Sequence, residues 1–236
     1  MAVPPNSNDA FLREVDEELR RDQLAGFWER WGLWLVGAIV LALAAYGGFL
    51  YWQHRDAQAA GVEGEQLQAA YDALAADNAG AAQASLDTIA ASKRDGYRAL
   101  ARFAQADVQL RRNDMKSAAA TFAGIAQDGT LAQPFRDLAL VRQTSAEYDG
   151  LKPQVVVERL RTLAAPGSPW FGSAGEMVAI AYLRMNRRDL AGTLFGQIAR
   201  DANTPDSLRQ RAVQMAGVLG VDAVAQGGQN EEHKAQ

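Results

Sequence analysis

The amino-acid sequence predicts an all-α protein in which a single N-terminal transmembrane helix is followed by an α-solenoid of about four helical hairpins. Three observations lead to this prediction. The stretch Trp31–Trp52 contains no charged residue and is long enough to cross a bilayer. The rest of the chain is rich in alanine and lacks period-two alternation, which favours helices over strands. A pattern of small and bulky residues also recurs with a period near 36, as stacked hairpins require.

Residues 1–30 are predicted to form a cytoplasmic head that contains an amphipathic helix. Apolar side chains from Phe11 to Trp31 form a broken stripe, while acids and arginines occupy the opposite face. A helix of this kind lies at a membrane surface and leads into the anchor. Binding of a cytoplasmic partner is the alternative interpretation of the same stripe.

Residues 31–52 are predicted to form the transmembrane helix. At 1.5 Å per residue this stretch spans about 33 Å, close to the thickness of a bilayer hydrocarbon core. Aromatic rings prefer the headgroup level, so rings at both ends of the helix are expected to form a belt at each membrane margin. The belt residues are Trp31, Trp34, Tyr51 and Trp52.

Two other interpretations of this stretch are weaker. A buried helix of a soluble protein rarely runs so long without a polar residue. A signal peptide cleaved after Ala57-Gln58-Ala59 would need a shorter apolar region, of about 7–15 residues, and a short basic leader. An uncleaved anchor is therefore the favoured interpretation.

Basic residues near the anchor predict its orientation. Four arginines precede it, at positions 13, 20, 21 and 30, whereas Arg55 alone follows before Lys93. The positive-inside rule counts Lys and Arg in short flanks. It places the N-terminus in the cytoplasm and the large C-terminal part on the other side of the membrane.

Composition excludes several classes of function. The 24 basic and 28 acidic residues give a net charge of −4, so no basic field exists to attract nucleic acid. The chain has no cysteine, which removes disulfides, thiol catalysis and zinc–thiolate sites. His54 and His233 are the two histidines, and neither has neighbours that complete a catalytic or metal site. No phosphate-binding loop occurs. We therefore expect no catalytic residue, cofactor, metal or small-molecule substrate.

Internal repeats decide the predicted architecture of residues 65–221, which follow a juxtamembrane linker or helix at 53–64. The pattern of Leu110–Asp128 recurs 73 positions later, at Leu183–Asp201. Short polar breaks separate helices of about 12–18 residues. A small residue early in the second helix of each unit allows close approach, and bulky residues further on fill the space towards the next unit. The predicted repeat core is Leu74, Ala82, Leu86, Ile89, Leu110, Ala118, Phe122, Ile125, Leu160, Leu163, Leu183, Ala191, Phe195 and Ile198.

This period and this placement of small and bulky residues resemble tetratricopeptide (TPR) repeats. The match is degenerate, since the early Trp and the Gly-x-x-Tyr of the standard unit are missing. Four units are predicted at about 65–92, 95–128, 130–166 and 168–201, with a closing helix at 205–219 and a flexible tail at 222–236.

The first helix of each TPR unit lines the concave face of the array, so the resemblance implies a protein-binding groove there. Exposed residues on these helices are its candidates, with ordinary solvated side chains as the alternative. They are Tyr97, Arg98, Arg102, Arg136, Arg142, Tyr182 and Arg184.

A short cytoplasmic head, one anchor and an external TPR-like array together resemble the TPR-like ancillary subunits of the bacterial SecYEG translocon. The resemblance extends from the head to about Leu219. It implies a protein of the inner membrane whose repeat domain lies in the periplasm. The implied partners are translocon subunits, periplasmic chaperones or foldases, and unfolded client chains, and the implied activity is not enzymatic.

Two alternatives to this function remain. The protein could be a scaffold for another envelope machine, such as those of cell division or outer-membrane assembly. An enzyme that uses the array as a platform is disfavoured, because most acid–base and nucleophilic designs rely on His or Cys groups that this chain lacks or cannot use.

Overall fold

The computed structural model describes residues 7–223, with side chains for residue 28 and residues 30–223. Regular structure in this part of the chain is entirely helical, which confirms the all-α prediction. Residues 1–6 of the head, the side chains of its amphipathic stripe up to residue 27, and the predicted tail beyond residue 223 lie outside the described residues. The nine helices described are α1 (Ser7–Ala75), α2 (Ala79–Ala90), α3 (Asp95–Arg111), α4 (Met115–Ala126), α5 (Gln133–Glu147), α6 (Pro153–Leu160), α7 (Phe171–Arg184), α8 (Arg188–Arg200) and α9 (Asp206–Val218).

The chain divides into two compact units, Met1–Val62 and Glu63–Gln236. In the first unit, the apolar part of α1 is a candidate membrane span by its length and composition. Its most apolar window has no residue buried within the protein. The four belt residues are each more than half exposed. An apolar surface of this extent is typical of a segment that contacts lipid.

The second unit is a series of helical pairs in chain order. The last turns of α1 pack with α2, and three pairs follow: α3 with α4, α5 with α6, and α7 with α8, while α9 closes the series. In addition, α3 contacts α5, α5 contacts α7, and α7 contacts α9. We call α3, α5, α7 and α9 the first helices. Stacking of this kind buries the apolar face of each pair against the next pair.

The third pair departs from the expected helix length. Helix α6 has only 8 residues and is followed by turns up to Gly167. Pro153 opens α6, a position at which its missing N–H would be unpaired in any case. Gly167 has a φ of +88°, a conformation that glycine adopts without strain, and α7 begins four residues later.

Three helices end in the same left-handed turn. Asp77, Asn113 and Asn186, which follow α1, α3 and α7, have φ values of 58°, 60° and 58°. The amide of Asn113 donates to the carbonyl of Leu110 at 2.9 Å, and the next amide donates to the carbonyl five residues before it, also at 2.9 Å. The same pair of bonds follows α1 and α7. These bonds satisfy carbonyls that a helix end otherwise leaves unpaired.

Buried apolar side chains form three clusters along the second unit. The first joins the end of α1 with α2 and α3, the second joins α3, α4 and α5, and the third extends from α5 to α9. The predicted repeat-core residues lie within or against these clusters. Twelve of the fourteen are buried, and Leu110 and Leu183 are half-buried.

The chain after α9 turns back onto α8. Val221 lies against two glycines on one face of α8, Gly192 and Gly196. A Cβ at Gly192 would come within 2.9 Å of Val221 Cγ2, and one at Gly196 within 3.0 Å of Cγ1. A Cβ at Gly192 would force Val221 to shift, and one at Gly196 would be tighter than most Cβ contacts, so this close approach favours glycine at both positions.

Candidate functional site

Four charged residues occupy equivalent positions on the four first helices. Asp107 on α3, Arg142 on α5, Glu176 on α7 and Arg211 on α9 follow one another at intervals of 34 or 35 residues, the length of one helical pair. Stacked pairs repeat the same orientation, so residues at this interval lie on one side of the array. Their charges alternate in sign. We call these four residues the charged row.

The charged row is paired across neighbouring first helices. Arg142 forms a hydrogen-bonded ion pair with Asp107. The Nε and Nη2 atoms of Arg211 donate to the two carboxylate oxygens of Glu176 at 2.9 and 2.7 Å, and these bonds raise the pKa of the guanidinium. A bidentate pair fixes both side chains more firmly than a single contact does. Because the pairs are partly exposed, they orient the helices more than they stabilise the fold.

A groove of about 720 Å³ lies along the charged row. Arg142, Glu176 and Arg211 contribute to its wall. The other parts of the wall come from α5, α7 and α9, from the end of α3 and from the start of α4. The remaining lining is mostly apolar, in contrast to the row itself. It comprises Leu110, Met115, Leu138, Val141, Ser145, Ala146, Trp170, Ser173, Met177 and Leu208.

Two aromatic residues are associated with this groove, Phe122 through its contact with Arg142 and Trp170 as part of the wall. The guanidinium of Arg142 lies 5.1 Å from the centre of the buried Phe122 ring, a cation–π distance. Trp170 precedes α7, and its amide donates to the hydroxyl of Ser168 at 3.2 Å. It is the sole tryptophan of the sequence outside residues 28–52. A half-buried Trp in a groove wall provides a large apolar surface with a polar edge.

Two of the predicted groove arginines bind within their own helical pair. Arg98 donates to the Thr130 hydroxyl at 2.7 Å, and that hydroxyl donates to Asp128 at 2.6 Å. Arg102 donates to the same carboxylate at 3.2 Å. The bonds from Thr130, reinforced by the two arginines, lower the pKa of Asp128. These contacts tie the start of α3 to the turn after α4.

Arg184, another predicted groove residue, binds the preceding pair instead. It donates to the carbonyls of Tyr148 and Leu151, each at 3.1 Å, and lies 5.5 Å from the Tyr148 ring centre. Arg111, 73 positions earlier, donates to the carbonyl of Leu74 at 3.0 Å in the same way. Both arginines therefore bind carbonyls at or just after the end of the corresponding helix of the preceding pair.

The four remaining predicted groove residues lie in different surroundings. Arg142 lines the groove, whereas Tyr182 lines a separate hollow between α6, α7 and α8. The Tyr97 hydroxyl packs against the backbone at Gly64. Arg136 donates to Gln133, and its Nε is buried without a hydrogen-bond partner among the described residues. A groove role for these seven residues stays a prediction.

Sequence reasoning missed Asp107, Glu176, Arg211 and Trp170. A signal for the first three exists, because alternating charges at intervals of 34 or 35 residues follow the repeat. Such a row becomes informative once the repeat length is known. Trp170 is not part of this row; it directly precedes α7, near the start of the predicted unit 168–201.

The chemistry available along the groove is that of binding. Its charged groups are two guanidiniums and one carboxylate, and two serine hydroxyls accompany them among the apolar side chains. Within residues 30–223, no group of three potential ligand side chains is placed to hold a metal ion. Concave apolar surfaces with a few convergent polar groups typically bind other molecules.

Comparison with known proteins identifies the family. A family model described as a tetratricopeptide repeat-like domain matches residues 26–215, which is most of the chain. No curated protein and no solved structure matches the sequence. Domains of this family are typically non-enzymatic modules that bind other proteins through an extended concave surface. The chain belongs to the tetratricopeptide repeat-like domain family.

Proposed function

We propose that this protein is a membrane-anchored, non-enzymatic module that binds polypeptides at the Sec translocon and acts with periplasmic chaperones on exported proteins. In this proposal the anchor crosses the bacterial inner membrane once. The head faces the cytoplasm, and the repeat domain faces the periplasm. Translocon subunits, chaperones or foldases, and unfolded client chains are its partners.

The observation that carries the proposal is the groove on the first helices. It is mostly apolar and belongs to a repeat array of a family that binds proteins. An apolar, concave surface next to a membrane suits chains that emerge from a channel before they fold. Anchoring in the same membrane would raise the local concentration of the array around such a channel without any new contact.

The assignment to the Sec translocon rests on the arrangement of the whole chain. One candidate span precedes a repeat domain of the TPR-like class. The excess of arginines before the span supports an N-terminus in the cytoplasm. The same arrangement would suit a scaffold of another envelope machine. The identity of the proteins that bind the chain in membranes distinguishes this function from a role at the translocon.

Site-specific crosslinking in native membranes tests the proposal. Because the chain has no cysteine, Ser145→Cys provides a unique thiol in the groove for a photoactivated crosslinker. Ala120→Cys, at an exposed position on α4, is the matched control. We expect translocon subunits, chaperones or exported chains to be recovered with the groove variant alone. Recovery of an unrelated envelope machine, or equal recovery with both variants, would contradict the proposal.

Thiol labelling of spheroplasts tests the orientation. A membrane-impermeant maleimide should label the Ala120→Cys variant in intact spheroplasts. It should label an Ala10→Cys variant only after lysis, because residue 10 precedes the anchor. The reverse pattern would place the repeat domain in the cytoplasm and rule out a periplasmic role.

A further inference from the structure

We propose that the groove recognises polypeptide segments through bulky apolar side chains and does not select for charge. This inference rests on the proposed function and names the chemistry of its ligand. It follows from three features of the groove: its paired charges, its apolar wall and its size.

The charges of the groove already have partners. Arg211 uses two donors on Glu176, and Arg142 is paired with Asp107. The row therefore contains equal numbers of positive and negative groups, each facing its opposite. An acidic ligand would have to displace a carboxylate from an arginine and leave that carboxylate next to its own charge. A basic ligand meets the corresponding penalty, so the row opposes selection for either charge.

The apolar wall provides the attraction that the charged row does not. Leu138 and Val141 on α5, Met177 on α7 and Leu208 on α9 line the groove together with Trp170. Aromatic residues in desolvated pockets are frequent anchors of protein interfaces. The flexible, polarisable side chain of Met adapts to ligands of different shape. This combination suits many apolar sequences.

The size of the groove fits side chains from a short segment. Its volume of about 720 Å³ lies within the usual range of ligand sites, about 300–1,000 Å³. That space holds a few large apolar side chains. Folded proteins bury such side chains in their cores, so the fitting ligand is a chain that is not yet folded.

Peptide titrations of the full-length protein in lipid nanodiscs test this inference. A solvatochromic dye on Ser145→Cys reports binding at the groove, and the same dye on Ala120→Cys is the control. Three peptides of equal length are compared, and they differ only at two central positions. The first peptide has Leu and Phe at these positions, the second has two Ser, and the third has Glu and Lys. We expect the apolar peptide to shift the dye at position 145 alone, and the other two to bind about tenfold more weakly. High salt should leave the apolar affinity nearly unchanged.

Substitutions then assign the binding to the wall or to the row. Leu138→Ser and Trp170→Ala should each weaken the apolar peptide about tenfold, and circular dichroism checks that each variant folds. The double variant Glu176→Gln, Arg211→Gln removes one ion pair without altering the apolar wall. Both residues line the groove, so a loss of affinity larger than about twofold would show that the charged row itself contributes to binding and would overturn the inference.

The outcomes separate this inference from the proposed function. Tighter binding of the charged peptide, with an affinity that falls as salt rises, would overturn the apolar selection and leave polypeptide binding intact. Binding of none of the three peptides would also overturn it. Crosslinking in membranes judges the proposed function independently, because native partners are present there.

Discussion

At the scale of single residues, the repeat is marked most clearly by the turns that end α1, α3 and α7. Asp77, Asn113 and Asn186 occupy left-handed backbone positions 36 and 73 residues apart. Asx side chains tolerate this conformation better than other non-glycine residues do. Gly220 takes the same position after α9, with a φ of +79°. One backbone requirement therefore selects Asp, Asn or Gly at each of these four helix ends.

Substitution at Asn186 should separate the backbone requirement from the side chain. We expect Asn186→Ala to lower the free energy of unfolding by about 1 kcal/mol, because a Cβ is strained in the left-handed region. Asn186→Gly should be neutral or stabilising, since glycine adopts this φ freely. Urea titration monitored by Trp170 fluorescence, with the other four tryptophans replaced by Phe, measures both variants. Equal stability of the Ala and Gly variants would contradict the explanation.

Acid should weaken the contact between Asp128 and Thr130. Because the pKa of Asp128 lies below the ordinary 3.8, its ionised carboxylate stabilises the folded state at pH values above 3.8. This contribution is lost as pH falls through the lowered pKa. We expect Thr130→Val to move the pKa of Asp128 back towards 3.8, as measured by NMR titration of the carboxyl carbon. Thr162→Val, at an exposed position, serves as the control and should leave it unchanged.

At the scale of helices, close packing depends on small residues at particular positions. Gly172 and Gly175 bring α7 against Thr204 and Ile198, and Gly192 brings the returning chain against α8. Glycine within a helix is otherwise unfavourable by about 1 kcal/mol relative to alanine. These glycines occur where a side chain of another element occupies the space that a Cβ would fill.

Alanine substitutions should distinguish a packed glycine from an open one. We expect Gly124→Ala to stabilise the protein by about 0.5–1 kcal/mol, because no atom lies near its Cβ position. Gly192→Ala should destabilise it, since the new Cβ meets Val221. Adding Val221→Ala to Gly192→Ala should recover part of the loss, as a double-mutant cycle measures. Stabilisation by Gly192→Ala alone would show that the returning chain is not packed there.

At the scale of the whole molecule, the second unit is held by contacts between successive pairs. Its three clusters follow the chain, and α3 and α5 each contribute to two of them. In such arrays stability is approximately a sum of terms from single pairs and neighbouring interfaces. A defect in one cluster should therefore weaken nearby helices more than distant ones.

Hydrogen exchange can test this local response. Leu86→Ala and Leu160→Ala each remove a fully buried side chain and should cost about 2–5 kcal/mol. We expect the first variant to accelerate amide exchange chiefly in α2 and α3, and the second chiefly in α6 to α8. Mass spectrometry of peptic fragments resolves these regions. Uniform acceleration in both variants would indicate one cooperative core instead.

Much of the fold could be predicted from the sequence because the relevant signals are local. The apolar stretch at 31–52, the alanine-rich helices and the recurrence at 73 residues are all properties of neighbouring positions along the chain. Most residues of the predicted repeat core, such as Phe122 and Phe195, are buried. They lie on one helical face that must be covered, whichever partner covers it.

The short helix α6, the return of Val221 onto α8 and the residues of the groove were decided by tertiary packing. Arg98 and Arg142 look alike in sequence, yet one binds Thr130 within its own pair and the other faces Asp107 across pairs. That difference depends on which atoms lie opposite each guanidinium once helices more than 30 residues apart have stacked. The sequence by itself determined the helices and their period, because backbone propensity and apolar periodicity act over a few residues. Only the tertiary structure decided the charged row and its groove, because each contact there needs groups from separate helices in register.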